Sequence, residues 1–284
     1  MQAMRIADEM LALLERALRG APVPKVRALH LPPAPWSGKR EGEFGAIELD
    51  DGALGLSYVL LDGLLDKLAI DAHGGAAGAG LIGADALAIA RHWAGHDAAL
   101  RTIGFAAVNA LTRHLYDRVG FVAPPATDSI GGLAPRAGEH IGMIGYFPPL
   151  VSQVTASGAR LTVLELKAHL AGRHDGYRVT LDAHELRHCD KVIATGTLVL
   201  NDTLDAMLSL CDQARWIALI GPSMGCLPDA LFARGVTLVG GSWVLDSAAY
   251  VDALRRGDVR AGLAQKVAIT PAGYPGFEAL LDRL

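Results

Sequence analysis

Two short turns of small polar residues each follow an apolar run of the sequence, and their side chains are suited to contacting a ligand. The first, TGT at residues 195–197, follows KVIA and precedes Asn201 and Thr203. The second, GPS at residues 221–223, follows WIALI. Hydroxyl, amide and backbone N–H groups in such turns hold polar or anionic ligand groups. The alternative interpretation is helix capping, because Asn and Thr are also favoured at helix starts.

A second candidate site is a group of metal-ligating residue types in the segment DAHELRHCD. His184 and His188 are four positions apart, and Cys189 follows directly. On a helix, two imidazoles at this spacing share a face and are placed to chelate a borderline metal ion. The alternative is a surface helix that carries two solvated histidines. Both interpretations predict a helix at this segment.

Three further positions are candidate ligand contacts for different reasons. Gly145 lies in the turn IGMIGYFPP, which resembles a first βα turn but lacks the G-x-G-x-x-G pattern of dinucleotide-binding proteins. Glu165 ends the next predicted strand about 20 residues later, where an acid binds ribose hydroxyls in nucleotide and S-adenosylmethionine folds. Asn109 lies among small apolar residues of a long predicted helix. A buried Asn must be hydrogen-bonded, so it is either a satisfied core group or a ligand contact.

The segment GPSMG matches the G-x-S-x-G pattern of a hydrolase nucleophile, with Ser223 at its centre. In such hydrolases the catalytic histidine follows the serine in the chain. Here the last histidine is His188, so a triad in that order is impossible. We therefore expect Ser223 to offer its hydroxyl, with neighbouring N–H groups, to a ligand at a helix N-terminus.

The second half of the chain has the pattern of a doubly wound α/β domain. From about residue 140, short Val/Ile/Leu strands alternate with helical segments, which is typical of a parallel sheet covered on both faces. Ligands of such sheets bind beyond the carboxyl ends of the strands. The turns at 145–147, 195–197 and 221–223 follow three of these strands, so we expect them at one edge of the sheet.

The first half has a different organisation. An amphipathic helix over residues 6–18 precedes a three-stranded meander at 25–60, whose Asp51-Gly52 pair is a hairpin signal. Helices are then predicted at about 61–68, 84–93 and 97–119. A Pro/Gly/Ser-rich segment follows at 121–140, and we place the boundary there, which divides the chain into domains 1–122 and 123–284.

Composition excludes several classes of function. The chain has 30 acidic and 26 basic residues among 284, a net charge of −4, so neither nucleic acid nor a membrane surface is an expected partner. Three separate cysteines without a C-x-x-C pair predict reduced thiols in a cytoplasmic protein. No apolar run approaches the roughly 20 residues of a membrane span, and the N-terminal pattern is unlike a signal peptide.

The runs ATGTLVLNDTLDAMLSL, GPSMGCLPDALFARGVTLVGG, IGMIGYFPPLV and AAVNAL together resemble the "putative heavy-metal chelation" family of bacterial and archaeal proteins. The specific parts are T-G-T-x-x-x-N-x-T and the G-P-S turn. The chain departs from the family pattern at RHCDKV, where a less polar lead-in is usual. The candidate ligand-binding positions, from the turns and from this resemblance, are Asn109, Gly145, Tyr146, Phe147, Glu165, Thr195, Gly196, Thr197, Asn201, Thr203, Gly221, Pro222 and Ser223.

The resemblance implies an enolase N-terminal-like α+β domain followed by a Rossmann-like domain related to methyltransferases, with a site between them. It also implies a role in metal chelation or in making a pterin-, flavin- or siderophore-like chelator. Our first hypothesis is a small polar ligand, metal-chelating or nucleotide-like, in that cleft. The alternatives are an S-adenosylmethionine-dependent methyltransferase and a non-catalytic metal carrier. The expected cofactor is a divalent metal or an S-adenosylmethionine- or nucleotide-like molecule, and a homodimer is compatible with this site.

Overall fold

The computed structural model of the chain describes residues 4–33, 44–59, 64, 67–68, 80–127, 132–259 and 262–284. Three stretches of the sequence lie wholly or mostly outside this part: the Pro/Gly-rich residues 31–43, the helix predicted at about 61–68 and the Gly-rich residues 73–85.

The predicted first helix and meander are both present. Helix α1 (Ile6–Ala17) buries its apolar face, as the amphipathic pattern indicates. Strands β1 (Val26–His30), β2 (Phe44–Leu49) and β3 (Leu54–Tyr58) form an antiparallel sheet in that order. Gly52, in the turn between β2 and β3, has a φ of 90°, a conformation that favours glycine.

Two helices with described bounds follow; the first packs against the second, which packs against β2 and β3 of the meander. They are α2 (Ala86–Ala90), continued by a 3-10 turn at Arg91–Ala94, and the long α3 (Ala98–Val119). The Asp97 side chain caps α3 by accepting from the N–H groups of Ala99 and Leu100. Helix α3 crosses β3 so closely that a Cβ on Gly55 would lie 2.1 Å from the carbonyl oxygen of Ala106.

The second half forms one large sheet with helices on both faces. Its strands are β4 (His140–Ile144), β5 (Arg160–Leu164), β6 (Gly172–His174), β7 (Tyr177–Thr180), β8 (Lys191–Thr195), β9 (Trp216–Ile220), β10 (Leu238–Val244) and β11 (Ala264–Ile269). Its α-helices are α4 (Pro148–Ala156), α5 (Leu204–Ser209), α6 (Asp229–Phe232), α7 (Ser247–Arg256) and α8 (Phe277–Leu281).

The strand order is β11-β10-β9-β8-β4-β5-β7-β6, with the six strands from β10 to β7 parallel. The chain starts at β4, builds outward to β7, and then returns to β8 and builds outward to β10 in the other direction. This is the 3-2-1-4-5-6 order of doubly wound dinucleotide-binding sheets. The predicted mixed α/β class with a Rossmann-like parallel sheet is therefore confirmed.

The structure differs from the sequence-based expectation at both edges of the sheet. The alternation of strands and helices does not indicate the β6–β7 hairpin, which is antiparallel, or β11, which pairs antiparallel with β10. Both edge elements are short or half-exposed, so they lack the continuous apolar run that identifies a buried strand. These elements become strands because they hydrogen-bond to the strand beside them, which a local apolar pattern does not show.

The apolar core is continuous across the predicted domain boundary. One buried cluster includes Ile6 of α1, Leu111 of α3, Leu219 of β9 and Phe277 of α8. A separate cluster packs the meander against α7 and β10 through residues such as Leu56 and Val244. The division at residue 122 stays a prediction.

Candidate functional site

The reversal of strand order places the turns after β4 and β8 side by side. Gly145, which follows β4, has a φ of 87°, and a Cβ there would lie 3.0 Å from Cγ2 of Thr195 at the end of β8. Only glycine suits both the conformation and this contact. Tyr146 is next in the chain and its side chain is exposed, while Phe147 is half-buried. The two turns therefore meet at the position where doubly wound sheets bind ligands.

The turn after β8 presents a pair of hydroxyls. Oγ1 of Thr195 lies 3.1 Å from Oγ1 of Thr197 and also accepts from the Thr197 N–H. Both side chains are half-buried. Gly196 between them is required by packing, because a Cβ there would lie 2.5 Å from Cγ of Met224. The sequence places these hydroxyls correctly at the strand end.

The turn after β9 packs against the turn after β8, but Ser223 is not where the sequence analysis predicts. A Cβ on Gly221 would lie 3.6 Å from the Gly196 nitrogen, so the two turns are adjacent, with the exposed Pro222 on the outside. Ser223 is buried, and helix α6 begins only at Asp229. The expectation that Ser223 stands at a helix N-terminus is wrong, because Cys226, Leu227 and their neighbours form an irregular, buried segment before that helix.

Asn109 connects this region to the N-terminal half. Its Nδ2 donates to the carbonyl oxygens of Leu56 in β3 and Ser223 after β9, each at 2.7 Å. Asn109 is 3% exposed, and its Oδ1 has no hydrogen-bond partner among the described residues. The side chain is therefore both a satisfied donor in the core and an acceptor with unused capacity.

A small cavity of ≈ 30 Å³ lies beside Asn109 at this junction. Its walls come from α3, β3, the segment after β9, and β10. They are Leu54, Leu56, Asn109, Arg113, Pro222, Gly225, Ser242, Trp243 and Val244. Sequence reasoning missed Arg113, although it lies four residues after Asn109 on one helix and so on the same face.

Two other candidate contacts, Asn201 and Glu165, are engaged in hydrogen bonds with residues one or two positions further along the chain. The Asn201 side chain accepts from the N–H and the hydroxyl of Thr203. Oε1 of Glu165 accepts from the N–H groups of Leu166 and Lys167. Neither contact caps a helix, because the N-cap residues of the helices that follow are Thr203 and Lys167. The capping interpretation applies instead to Thr195, whose Oγ1 accepts from the Thr197 N–H at the start of the 3-10 helix Gly196–Val199.

The segment of His184 and His188 is a 3-10 helix, Ala183–His188, and not the α-helix that chelation by both imidazoles assumes. A 3-10 helix has three residues per turn, so positions four apart do not share a face. The segment does have the H-E-x-x-H spacing of zinc proteases, but Glu185 pairs with Arg178 at 2.9 Å and His184 with Asp182 at 3.0 Å. Within the described residues no group of three His, Cys, Asp or Glu is placed to hold a metal ion.

Cys189, the third predicted metal ligand, points into the core. Its Sγ lies 3.6 Å from the Glu185 carbonyl oxygen and 3.9 Å from Nε2 of His140. Burial raises the pKa of the Cys189 thiol to about 12, which keeps it protonated and a poor ligand at neutral pH. This thiol lies at the amino ends of β4 and β8, opposite the edge that carries Thr195.

Two family models carrying one description, "Putative heavy-metal chelation", match residues 132–271 and 43–112, together more than half of the chain. The chain belongs to this family. The C-terminal model is that of the DUF364 family, and the two matches fall on either side of the predicted boundary.

Solved structures of this family share the fold. A DUF364-family protein of unknown function from Desulfitobacterium hafniense has a TM-score of 0.63 at 21% identity, over 93% of this chain and 98% of that chain. A second, from Pyrococcus horikoshii, has a TM-score of 0.61 at 20% identity over the same shares. An uncharacterized protein from Methanocaldococcus jannaschii is 28% identical over 149 residues, which are 51% of this chain and 55% of that protein.

Among the helices of the described residues, none combines the length and the apolar character required to cross a bilayer.

Proposed function

We propose that the protein binds a small polar, metal-chelating molecule, free or as its metal complex, at the carboxyl edge of the large sheet beside the N-terminal half, and so takes part in heavy-metal chelation. The observation that carries the proposal is the hydroxyl pair of Thr195 and Thr197. It sits where the strand order reverses, next to the turn of Gly145 and the exposed ring of Tyr146.

The donor set at this edge favours a chelator over a bare heavy-metal ion. Hydroxyls and backbone N–H groups bind the oxygen and nitrogen atoms of organic ligands, whereas soft metal ions select thiolates. The three cysteines are buried, and burial raises the pKa of each thiol to about 12. Metal would therefore arrive bound to the organic ligand.

Each residue at the edge has a role that its geometry supports. The hydroxyls of Thr195 and Thr197 are placed to bind polar atoms of the chelator. The Tyr146 ring stacks with Tyr177 at 6.3 Å and is 37% exposed, and its exposed surface would cover a planar part of the ligand. Gly145, Gly196 and Gly221 allow the three turns to approach one another so closely that a side chain on Gly145 or Gly196 would collide. Pterin-like and nucleotide-like molecules fit this description because they combine a planar ring with polar edges.

The experiment is a calorimetric titration with defined probes. Catechol, 6-hydroxymethylpterin and nitrilotriacetate would each be tested free and with Ni²⁺ or Zn²⁺, next to the metal salts alone. We expect at least one chelator or complex to bind saturably, and the double variant Thr195→Val/Thr197→Val to weaken it by about tenfold or more, the effect of one or two lost hydrogen bonds.

Thr155→Val is the matched control. This variant also removes a half-buried hydroxyl, but Thr155 lies at the C-terminal end of α4, away from the carboxyl edge of the sheet. It should bind as the unmodified protein does. Saturable binding that is unchanged in the double variant would contradict the proposed site. Tight binding of the bare ions, with no response to any chelator, would instead support a metal carrier.

A further inference from the structure

Helix α4 begins with two prolines at the point where doubly wound sheets ordinarily bind a phosphate. The helix follows β4, the strand from which the sheet is built outward in both directions. In nucleotide-binding proteins of this fold, phosphates bind to the free N–H groups at the start of that helix. Pro148 and Pro149 occupy its first two positions and have no N–H to offer. Two of the usual phosphate donors are therefore absent.

The next N–H group of α4 is already engaged. A helix leaves four N–H groups without a partner at its start, those of the N-cap residue and of the first three helical positions. The third position is Leu150, whose N–H donates to the Phe147 carbonyl oxygen at 2.9 Å. Of the four, only the N–H of Phe147 remains, and the Phe147 side chain makes no capping hydrogen bond. The positive end of a helix dipole resides on these same groups, so it is weakened as well.

The turn after β5, the neighbouring strand, holds a negative charge of its own. Oε1 of Glu165 accepts from the N–H groups of Leu166 and Lys167 at 2.9 and 3.2 Å. Successive backbone N–H groups are positions where proteins bind anions, and here the carboxylate of Glu165 occupies them. A phosphate would have to displace this carboxylate, and at a nearby position it would be repelled by it.

The charges of the edge do not compensate for the missing donors. Among the residues of the turns 145–147, 165–167, 195–197 and 221–223, Glu165 and Lys167 alone are charged, and their charges offset each other. A phosphate dianion would lose solvation at this edge without gaining the N–H groups or the net positive charge that usually replace it. The hydroxyls of Thr195 and Thr197 remain, and hydroxyls also bind uncharged polar atoms.

We propose that the ligand of the carboxyl edge has no phosphate group, and that Pro148 and Pro149 make the site specific for the unphosphorylated form of a planar, polar molecule. A free pterin, a flavin without its phosphate and a nucleoside belong to this class. Mononucleotides and dinucleotides, which the doubly wound fold commonly binds, do not. This inference rests on the proposed function, since it concerns the same site, and it narrows the class of ligand.

The first test compares candidate ligands with their own phosphate esters on the full chain. Fluorescence titration would use riboflavin with riboflavin 5′-phosphate and 6-hydroxymethylpterin with its diphosphate, and calorimetry would use adenosine with AMP. We expect the unphosphorylated member of at least one pair to bind saturably and at least about tenfold more tightly than its ester, the effect of one unpaired charged group. An ester that binds as tightly as its parent, or more tightly, would overturn the proposal.

The second test restores the missing donors. In the double variant Pro148→Ala/Pro149→Ala, α4 gains two N–H groups at its start, and alanine fits there because both positions are helical and exposed. Inorganic pyrophosphate should bind to this variant at least about tenfold more tightly than to the unmodified protein.

Pro271→Ala is the matched control for the double variant. It also adds an N–H at the first position of an exposed helical turn, but Pro271 follows β11, which ends beside the amino end of β10. The affinity for pyrophosphate should therefore stay as in the unmodified protein.

The two tests separate this inference from the proposed function. Esters that bind as tightly as their parents, and that lose affinity with them in Thr195→Val/Thr197→Val, would overturn the phosphate exclusion and support the proposed site. No binding by any pair or by any chelator would contradict the proposed function. The pyrophosphate measurement would then decide this inference alone: a gain in the double proline variant supports it, and no gain overturns it.

Discussion

His140 is a buried residue whose ionisation should affect stability. It is 5% exposed, its Nδ1 bonds the His188 carbonyl oxygen at 2.8 Å and its Nε2 lies 2.8 Å from the Thr162 hydroxyl. Burial lowers the pKa of His140 below its ordinary value, because the charged imidazole loses solvation. At neutral pH the folded protein therefore holds this histidine uncharged.

The sign of the pH effect follows from that shift. Below the unfolded-state pKa of about 6.5, the unfolded chain takes up a proton that folded His140 refuses, so stability falls as the pH drops. The contribution of one histidine is at most about 1.4 kcal/mol per pH unit. Urea unfolding between pH 8 and pH 5 should show a shallower loss for His140→Gln than for the unmodified protein. The same change at the exposed His169 should leave the slope as it was; a slope unaltered by His140→Gln would disprove this role.

The three thiols offer a second test at the level of single residues. Because burial raises the pKa of Cys189, Cys211 and Cys226 to about 12, we expect no alkylation by iodoacetamide at pH 7.5 in the folded protein. Mass spectrometry should show three labels after denaturation. Rapid labelling of Cys189 in the folded protein would mean that the thiol is available to metals after all.

Strand β3 and helix α3 pack so closely that no side chain fits between their backbones at Gly55. A Cβ at Gly55 would lie 2.1 Å from the Ala106 oxygen and 2.2 Å from the Ala110 nitrogen, and backbone atoms cannot move aside as a side chain can. We expect Gly55→Ala to destabilise the protein by about 3 kcal/mol or more. Gly80→Ala, whose added Cβ would lie within 4 Å of no described residue, should stay within about 0.5 kcal/mol. Chemical denaturation measures both, and equal stability of the two variants would show that α3 and β3 are not packed this closely.

The elements also show what the sequence can predict. Continuous Val/Ile/Leu runs identify β4, β8 and β9, and the turns that follow them are placed correctly because parallel strands end at one edge. The sequence of Ala183–His188 predicts a helix but does not show whether it is a 3-10 helix or an α-helix, so it does not settle whether His184 and His188 share a face. The β6–β7 hairpin is too short and exposed to carry a pattern of its own.

Only the part of the candidate site that is formed within one segment of the chain could be predicted from the sequence. Thr195 and Thr197 belong to one strand end, so local sequence is sufficient to place them. The cavity beside Asn109 combines α3, β3 and β10, and no spacing along the chain indicates that Trp243 lies over Arg113. Such a meeting depends on how the two halves pack.

At the scale of the whole molecule, the two halves should unfold together. Their cores are continuous, and Arg234 in the second half pairs with both carboxylate oxygens of Glu9 in α1 at 2.8 and 2.9 Å. The indole N–H of Trp93 also donates to the Val199 carbonyl oxygen across the boundary. We expect tryptophan fluorescence and far-UV circular dichroism to report one coincident transition in urea. Two separated transitions would show that the halves are independent domains.

The proposed site predicts which backbone segments a bound ligand would protect. If a chelator binds at the carboxyl edge, hydrogen–deuterium exchange with and without the probe that binds in calorimetry should show protection in peptides spanning residues 141–150, 192–203 and 218–226. Peptides spanning 168–190, which hold His184 and His188, should exchange as before. Protection confined to 168–190, with the edge peptides unchanged, would contradict a ligand site at Thr195 and Thr197.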